Sequence, residues 1–398
     1  MKLYYEDQYI KEFKAEIIDI KENDGKFHVV LDKTAFFPGG GGQFCDLGTI
    51  EKEKVIDVYE ENGTIYHVVE KKPIKIHKAS CTLDWKRRVD GMQQHLGQHV
   101  LSGCFFKLFN ANTVGFHMGD EISTVDINGH LNEVQIREAE RFANEIIGEN
   151  IKVDFLMPDK KELKKLNLRR ALPKTNEPIR VVKIGDLDIN ACCGIHPSST
   201  IELRVIKIKR WEKHKSATRI EYVAGNRAVE NFFKKDEFSK EVCRYLNCGD
   251  ESALSTIRNM SSNMKETIDE NKKLRLELGD YKIKEMLNNG EKIEDITVVK
   301  NIYQDEDVKN LGKLASRIVE NNKAVVLFGV EGAGRANLIF TCSKDIKKLN
   351  MNEILKDAIT LIDGRGGGNK TLAQGAGKNV SNLNSTMDYA MMKVKKLF

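Results

Sequence analysis

The stretch Met92-Gln-Gln-His95-Leu-Gly-Gln-His99-Val-Leu101 sets two imidazoles four residues apart. Around them Met92, Leu96, Val100, Leu101 and Phe105 recur at helical spacing, in a run that begins near Trp85. Residues four apart on a helix differ by about forty degrees, so both imidazoles face one way. Far along the chain, Cys192-Cys-Gly-Ile-His196 sets a thiol and an imidazole four apart, and its glycine suits a tight turn. Thiolate and imidazole donors are those that zinc prefers. Coming from two remote segments, they predict one metal centre assembled by a folded domain, not a finger wrapped around its own ion.

Length and composition bound the rest. A chain of 398 residues exceeds a single core, so two or three domains are expected. No apolar run approaches a membrane span, and Met1-Lys-Leu-Tyr-Tyr-Glu-Asp7 is no signal peptide, so a cytosolic location is expected. Eight cysteines in such a chain argue against a disulfide framework. The net charge of +5 permits a polyanionic partner without requiring one. Arg204, Lys207, Lys209, Arg210, Lys213, Lys215 and Arg219 crowd one stretch with Trp211 and His214. That stretch reads equally as a nucleic-acid contact or as a solvated strand edge guarded by lysines.

Patterning along the chain predicts an α+β multidomain protein. Phe13 to Ile20, Lys26 to Leu31, Gly48 to Val58 and Thr64 to Val69 alternate apolar and polar, giving a β-rich, barrel-like domain over 1–84. Residues 85–225 form a second, α+β domain: a helix from Trp85, a strand over Glu121 to Ile127 and a helix over Glu133 to Ile147. Residues 226–290 lack proline and place Leu254, Ile257, Met260, Met264 and Ile268 three or four apart. They predict a helical linker, broken near Asn247-Cys-Gly-Asp250 and able to act as a spacer or a dimerising coil. Residues 291–398 alternate as α/β, with strands over Asp295 to Ile302, Lys323 to Val330 and Ala336 to Cys342, and helices over Asp307 to Glu320 and Asn352 to Thr360.

Two glycine tracts stand out. In Thr34-Ala-Phe-Phe-Pro-Gly-Gly-Gly-Gly-Gln43-Phe-Cys-Asp46, four glycines let backbone amides approach a ligand, and Thr34 and Gln43 offer polar groups at the ends. A plain wide turn between strands is the alternative. Gly364-Arg-Gly-Gly-Gly-Asn-Lys370-Thr371 nearly matches a P-loop, but Asn369 stands where the last glycine belongs, and Leu372 to Gly377 cannot open a long helix. Nucleotide hydrolysis is thereby excluded. Arg365 and Lys370 remain candidates for an RNA backbone.

In this order the motifs resemble the alanyl-tRNA editing proteins, free-standing relatives of the editing domain of alanyl-tRNA synthetase. The matching pieces are the Thr34-to-Gln43 loop, His95-x-x-x-His99, Gly115-Phe-His-Met-Gly119 with Ser123-Thr-Val-Asp126, Cys192-x-x-x-His196 and Arg219-Ile-Glu-Tyr-Val-Ala-Gly225. The C-terminal glycine tract looks like a DHHA1 domain. The resemblance implies a zinc-dependent deacylase that removes serine, and glycine, mischarged on alanine tRNA. It implies His95, His99, Cys192 and His196 as zinc ligands, with Cys192 rather than Cys193. The chain departs from the family at Cys193, usually glycine, at Ile195, usually threonine, and at Gly39, often acidic.

Serine must be removed while the smaller alanine is spared, so its hydroxyl must be read by hydrogen bonding. Thr34 is the first expected reader and Gln43 the second. Asp126 and Asp46 are the candidate bases or second-shell groups. Lys209, Arg210, Arg219, Arg365 and Lys370 are the expected RNA contacts, and a homodimer through the linker or the C-terminal domain is expected. No aminoacylation core precedes the editing segment, so editing without charging is expected. Two rival readings stand beside this one. One is a non-catalytic tRNA-binding module with a structural zinc. The other is a DHH phosphoesterase, whose Asp-His-His tripeptide is missing here.

Overall fold

Short alternating segments near the N-terminus pair as strands β1 (Glu12–Ala15), β2 (Ile17–Asn23), β3 (Lys26–Leu31), β4 (Gly48–Ile50), β5 (Glu53–Glu61), β6 (Thr64–Val69) and β7 (Ala79–Leu83). They form one antiparallel sheet in the order β1-β7-β4-β5-β6-β3-β2. Only Glu16 separates β1 from β2, which occupy opposite ends of that order, so the sheet must curl. No ladder joins β1 to β2 among the described residues, so the expected barrel does not close. The computed structural model describes residues 1–74, 78–172, 178–332 and 334–398. Its contacts divide the chain into Met1–Asp250 and Glu251–Phe398. The segments expected as separate domains, 1–84 and 85–225, therefore belong to one unit, and the expected linker is shared between two.

Within the first unit, helix α1 (Trp85–Phe109) starts where Asp84 accepts a hydrogen bond from the Arg87 amide and ends at Asn110 in the left-handed conformation. Every residue from Gly91 to Phe105 is buried. Met92 packs into the core under the β-sheet, with Phe36, Phe37 and Ile195. Leu96, Val100, Leu101 and Phe105 pack into a second core. A helix buried on all sides normally reads as apolar throughout. This one instead carries His95, Gln98, His99 and Ser102 along one face.

After α1 come β8 (Thr113–Met118), β9 (Ser123–Asn128), α2 (Glu133–Gly148), β10 (Val153–Leu156), α3 (Lys160–Leu163), β11 (Val181–Ile184), β12 (Asp188–Ala191), β13 (Ile206–His214) and β14 (Ala217–Ala224), of which all but α3 and β12 supply residues to the second core. Their sheets run β13-β14-β9-β8 and β10-β11-β12. Helix α2 opens on a reciprocal capping box between Asn132 and Gln135. Helix α4 (Gly225–Leu246) stops at Asn247, also left-handed, where the sequence predicts the break.

The second unit holds α5 (Asp250–Asn289), β15 (Glu291–Ile293), β16 (Ile296–Gln304), α6 (Val308–Asn321), β17 (Ala324–Gly332), β18 (Arg335–Cys342), α7 (Met351–Ala358), β19 (Gly364–Gly368), β20 (Leu372–Gly377) and α8 (Leu383–Lys395). Its sheet runs β15-β16-β17-β18-β20-β19, with β16 and β17 parallel across α6. Leu311, Ala315 and Ile318 of α6 cover one face, and α7 and α8 cover the other. The glycine tract is an edge strand, not a free loop. A Cβ on Gly366 would lie 2.5 Å from the Gly375 Cα, so the glycines permit strand contact. No helix among the described residues is long and apolar enough to cross a membrane.

Candidate metal centre

Helix α1 presents His95 and His99 to the turn after β12, which carries Cys192 and His196. The Cys192 Sγ lies 3.5 Å from His95 Nε2 and 3.7 Å from His196 Nε2. One ligand atom from each of the four residues lies within 4.8 Å of the others. Zinc bonds of about 2.0–2.3 Å in a tetrahedron set ligand atoms about 3.3–3.8 Å apart, so the two sulfur–nitrogen separations suit such an ion. His99 Nε2 and His196 Nδ1 are buried without a hydrogen-bond partner. An unpaired buried nitrogen costs about 1–3 kcal/mol, a penalty that a metal bond removes from a coordinating nitrogen.

A surrounding shell fixes these rings. The His95 Nδ1–H donates to Gln43 Oε1 at 2.9 Å, and the Ile195 amide donates to the same oxygen at 2.9 Å. Gln43 thereby ties the helix pair to the turn. The His99 Nδ1–H donates to Asp188 Oδ2 at 2.7 Å, and Arg169 Nε donates to Asp188 Oδ1 at 2.7 Å. Each partner holds the Nδ1 proton, which leaves Nε2 facing the centre. The Arg180 guanidinium lies 4.4 Å from the Phe155 ring and 4.9 Å from the Tyr5 ring, and donates to the Gly194 carbonyl at 2.8 Å. Gly194 is required by contact, since a Cβ there would lie 2.2 Å from His95 Nδ1.

The electrostatics of the metal-free chain suit cation binding. Burial would raise the Cys192 thiol, but His95, His196 and His99 outweigh it and hold the thiol well below its usual range. Burial also opposes charge on His99, yet Cys192 and Asp188 raise that imidazole to about 9, so His99 has a proton to release when it takes up a cation. Burial lowers His196 to about 3 and so keeps it a neutral donor. Metal ligands must be unprotonated, and Cys192 and His196 already are. Cys193 differs: burial and the neighbouring Cys192 push its thiol up, and its sulfur lies against the glycine loop, where a Cβ on Gly41 would meet it at 3.2 Å.

A cavity of about 690 Å³ opens beside the cluster, lined by His95, His99, Cys192, Gln98, Asn190 and Arg180 among others. Gly41 also lines it, so the first glycine tract reaches the site. Thr34 does not line it. Its hydroxyl donates to His67 Nε2 at 2.8 Å and accepts from the Phe36 amide at 3.0 Å, at 3% exposure. Thr34, the expected hydroxyl reader, stands here as a buried link between the loop and β6. Gln43 likewise commits its Oε1 to His95 and Ile195.

The remaining expected residues divide. Asp126 pairs with Arg219 through two 2.8 Å hydrogen bonds, which hold its carboxyl below the usual range. Neither lines the cavity: Asp126 stands away from it as one half of an ion pair, and the Arg219 side chain is 33% exposed. Asp46 is bound by the fully buried Arg88 and by the Phe37 amide. Lys209 donates to Asn231 at 2.6 Å, Arg210 pairs with Glu212, and Arg365 and Lys370 are exposed in the second unit. Asp188, Arg169, Arg180, Gln98 and Asn190 escaped the sequence reading. Gln98 alone carried a signal, as a polar residue on the apolar-spaced helix between the two histidines.

Residues 179–221 match the family model of the threonyl and alanyl tRNA synthetase second additional domain, and residues 295–396 match the DHHA1 domain. The alanyl-tRNA editing protein AlaX-L of Pyrococcus horikoshii is 32% identical over 393 residues, covering 94% of each chain. The alanine–tRNA ligase of Methanobrevibacter smithii is 31% identical over 411 residues, which span 98% of this chain and 45% of the ligase. The C-Ala domain from Aquifex aeolicus alanyl-tRNA synthetase aligns with 27% of this chain at 25% identity and a TM-score of 0.25.

Proposed function

Because the chain belongs to the alanyl-tRNA editing protein family, we propose that it is a zinc-dependent deacylase that hydrolyses serine, and glycine, mischarged on alanine tRNA. The observation carrying this reading is the His95, His99, Cys192, His196 cluster on the wall of an open cavity. Zinc, when bound, supplies Lewis acidity for attack on the ester carbonyl. The chain's own groups position that chemistry. Gln43 and Asp188 aim the helix pair, and Arg180 holds the turn that carries Cys192. Residues 1–250 carry the hydrolysis in this reading. The second unit contributes tRNA contacts through Arg365 and Lys370, and Lys209 and Arg210 add contacts from β13. Exposed Leu254, Ile257, Met264 and Ile268 on α5 support a homodimer, and the setting is the cytosol.

One observation favours a second reading. Four protein donors fill a tetrahedral shell, and closed shells are ordinarily structural. A tRNA-binding module with a structural zinc would have that shell and no turnover. Deacylation of Ser-, Gly- and Ala-tRNA measured side by side, with and without a chelator, separates the two. The deacylase reading expects Ser- and Gly-tRNA to be hydrolysed, Ala-tRNA to be spared, and both activities to vanish with chelator or in His95→Ala. Hydrolysis no faster than the uncatalysed rate favours the module.

A further inference from the structure

With the Thr34 hydroxyl sealed against His67, the serine hydroxyl needs another reader, and the cavity offers two uncharged amides. Gln98 and Asn190 both line it, at 5% and 6% exposure. Each lies close in sequence to the candidate ligands: Gln98 lies between His95 and His99 on α1, and Asn190 lies on β12 two residues before Cys192.

The hydrogen bonds around Gln98 decide which of its atoms faces the cavity. Arg169 donates from Nη1 to Thr113 Oγ1 at 3.1 Å, so the Thr113 proton goes onward to Ser102 Oγ at 2.6 Å. The Gln98 Nε2–H also donates to Ser102 Oγ, at 2.7 Å. Ser102 accepts from both, which orients the Gln98 amide and leaves its Oε1 without a protein donor among the described residues. An amide oxygen accepts and cannot donate. The Asn190 amide has no side-chain hydrogen bond to any described residue, although its backbone is paired in the sheet opposite Val182. It offers two donors and an acceptor.

We propose that Gln98 and Asn190 form the subsite that reads the serine hydroxyl. The hydroxyl donates to Gln98 Oε1 and accepts from the Asn190 Nδ2–H. A hydroxyl is the group that both gives and takes one hydrogen bond, and a methyl does neither. Alanine's methyl would fill the subsite and leave both nearly buried amides unpaired, whereas glycine leaves room for a water to pair them, which supplies the discrimination that size cannot. This inference rests on the deacylase reading above.

Two variants and one binding measurement test it. Gln98→Met keeps length and removes the acceptor, and Asn190→Ala removes the donor. In each, kcat/KM for Ser-tRNA is expected to fall about 10- to 100-fold while Gly-tRNA stays within about threefold. Zinc content should stay at the wild-type level. Equal losses on both substrates, or an unchanged Ser-tRNA rate, overturn the subsite. Calorimetry of L-serinamide against L-alaninamide on the zinc-loaded wild-type chain covers the case in which a variant does not fold. A preference of about tenfold for serinamide supports the subsite, and equal binding overturns it. If the wild-type chain hydrolyses neither aminoacyl-tRNA, the deacylase reading fails by itself, and the calorimetry still decides whether the cavity reads a hydroxyl.

Discussion

At the scale of single residues, a side chain's partners decide its role more than its position in a motif. His67 Nδ1 faces the Val29 carbonyl at 2.9 Å, so its Nε2 is an acceptor and takes the Thr34 proton. Thr34→Val would leave that buried nitrogen unpaired and lower stability by about 1–3 kcal/mol, read from the urea midpoint. Relative rates on Ser- and Gly-tRNA should stay unchanged, and a loss confined to Ser-tRNA would return Thr34 to substrate reading. Burial lowers His67 to about 4 from the ordinary 6.5. Between those values the unfolded chain takes a proton that the folded chain refuses, so this contribution is complete above pH 6.5. It is lost as pH falls toward 4 and amounts to about 3 kcal/mol over that window. A wild-type midpoint that drops no more than that of His67→Gln between pH 7 and pH 5 would contradict this. The two thiols part just as clearly. Cys192→Ala should abolish stoichiometric zinc and Cys193→Ala should retain it, as measured by metal analysis. The His95–His99 pair was legible because a helix fixes that spacing by itself. Asp188 and Arg169 were not, because the fold delivers them from remote segments and no periodicity marks a hydrogen-bond partner.

At the scale of elements, α1 and the turn after β12 make unequal halves of the centre. The helix is held by its own ladder, its Asp84 cap and two cores, so His95 and His99 need little outside help. The turn depends on contacts from elsewhere: Arg180 on the Gly194 carbonyl, and the Tyr5 hydroxyl donating to the Cys193 carbonyl at 2.7 Å. Arg180→Met keeps bulk between Tyr5 and Phe155 but removes the donor. Zinc affinity should fall about 10- to 100-fold in competition with a chelator, by the usual weight of outer partners. An unchanged affinity would show that the turn is preformed without it. Secondary structure was legible where packing enforces a period, as in α1, α2 and the break at Asn247. The strand in the C-terminal glycine tract was not legible because glycine carries no side-chain pattern. Its place as β19 comes from the backbone of β20 pressing against it, a contact written nowhere in local sequence.

At the scale of the whole molecule, the proposed tRNA contacts rest on charge. The net charge of +5 is small, and two of the expected RNA contacts each sit beside a carboxylate: Arg219 with Asp126, and Arg210 with Glu212. Arg365 on β19 and Lys370 in the turn toward β20 remain exposed in the second unit, where no group of metal-binding residues is found among the described residues. If they contact phosphates, their effect must be on binding and not on chemistry. In the double variant Arg365→Ala and Lys370→Ala, the slope of log affinity for tRNA against log salt should fall by about one per lost contact. KM for Ser-tRNA should rise while kcat and zinc content hold. A lowered kcat with an unchanged salt slope would move these residues out of RNA binding. It would also leave the first unit to recognise tRNA unaided, with Lys209 and the exposed part of β13 among its cationic groups.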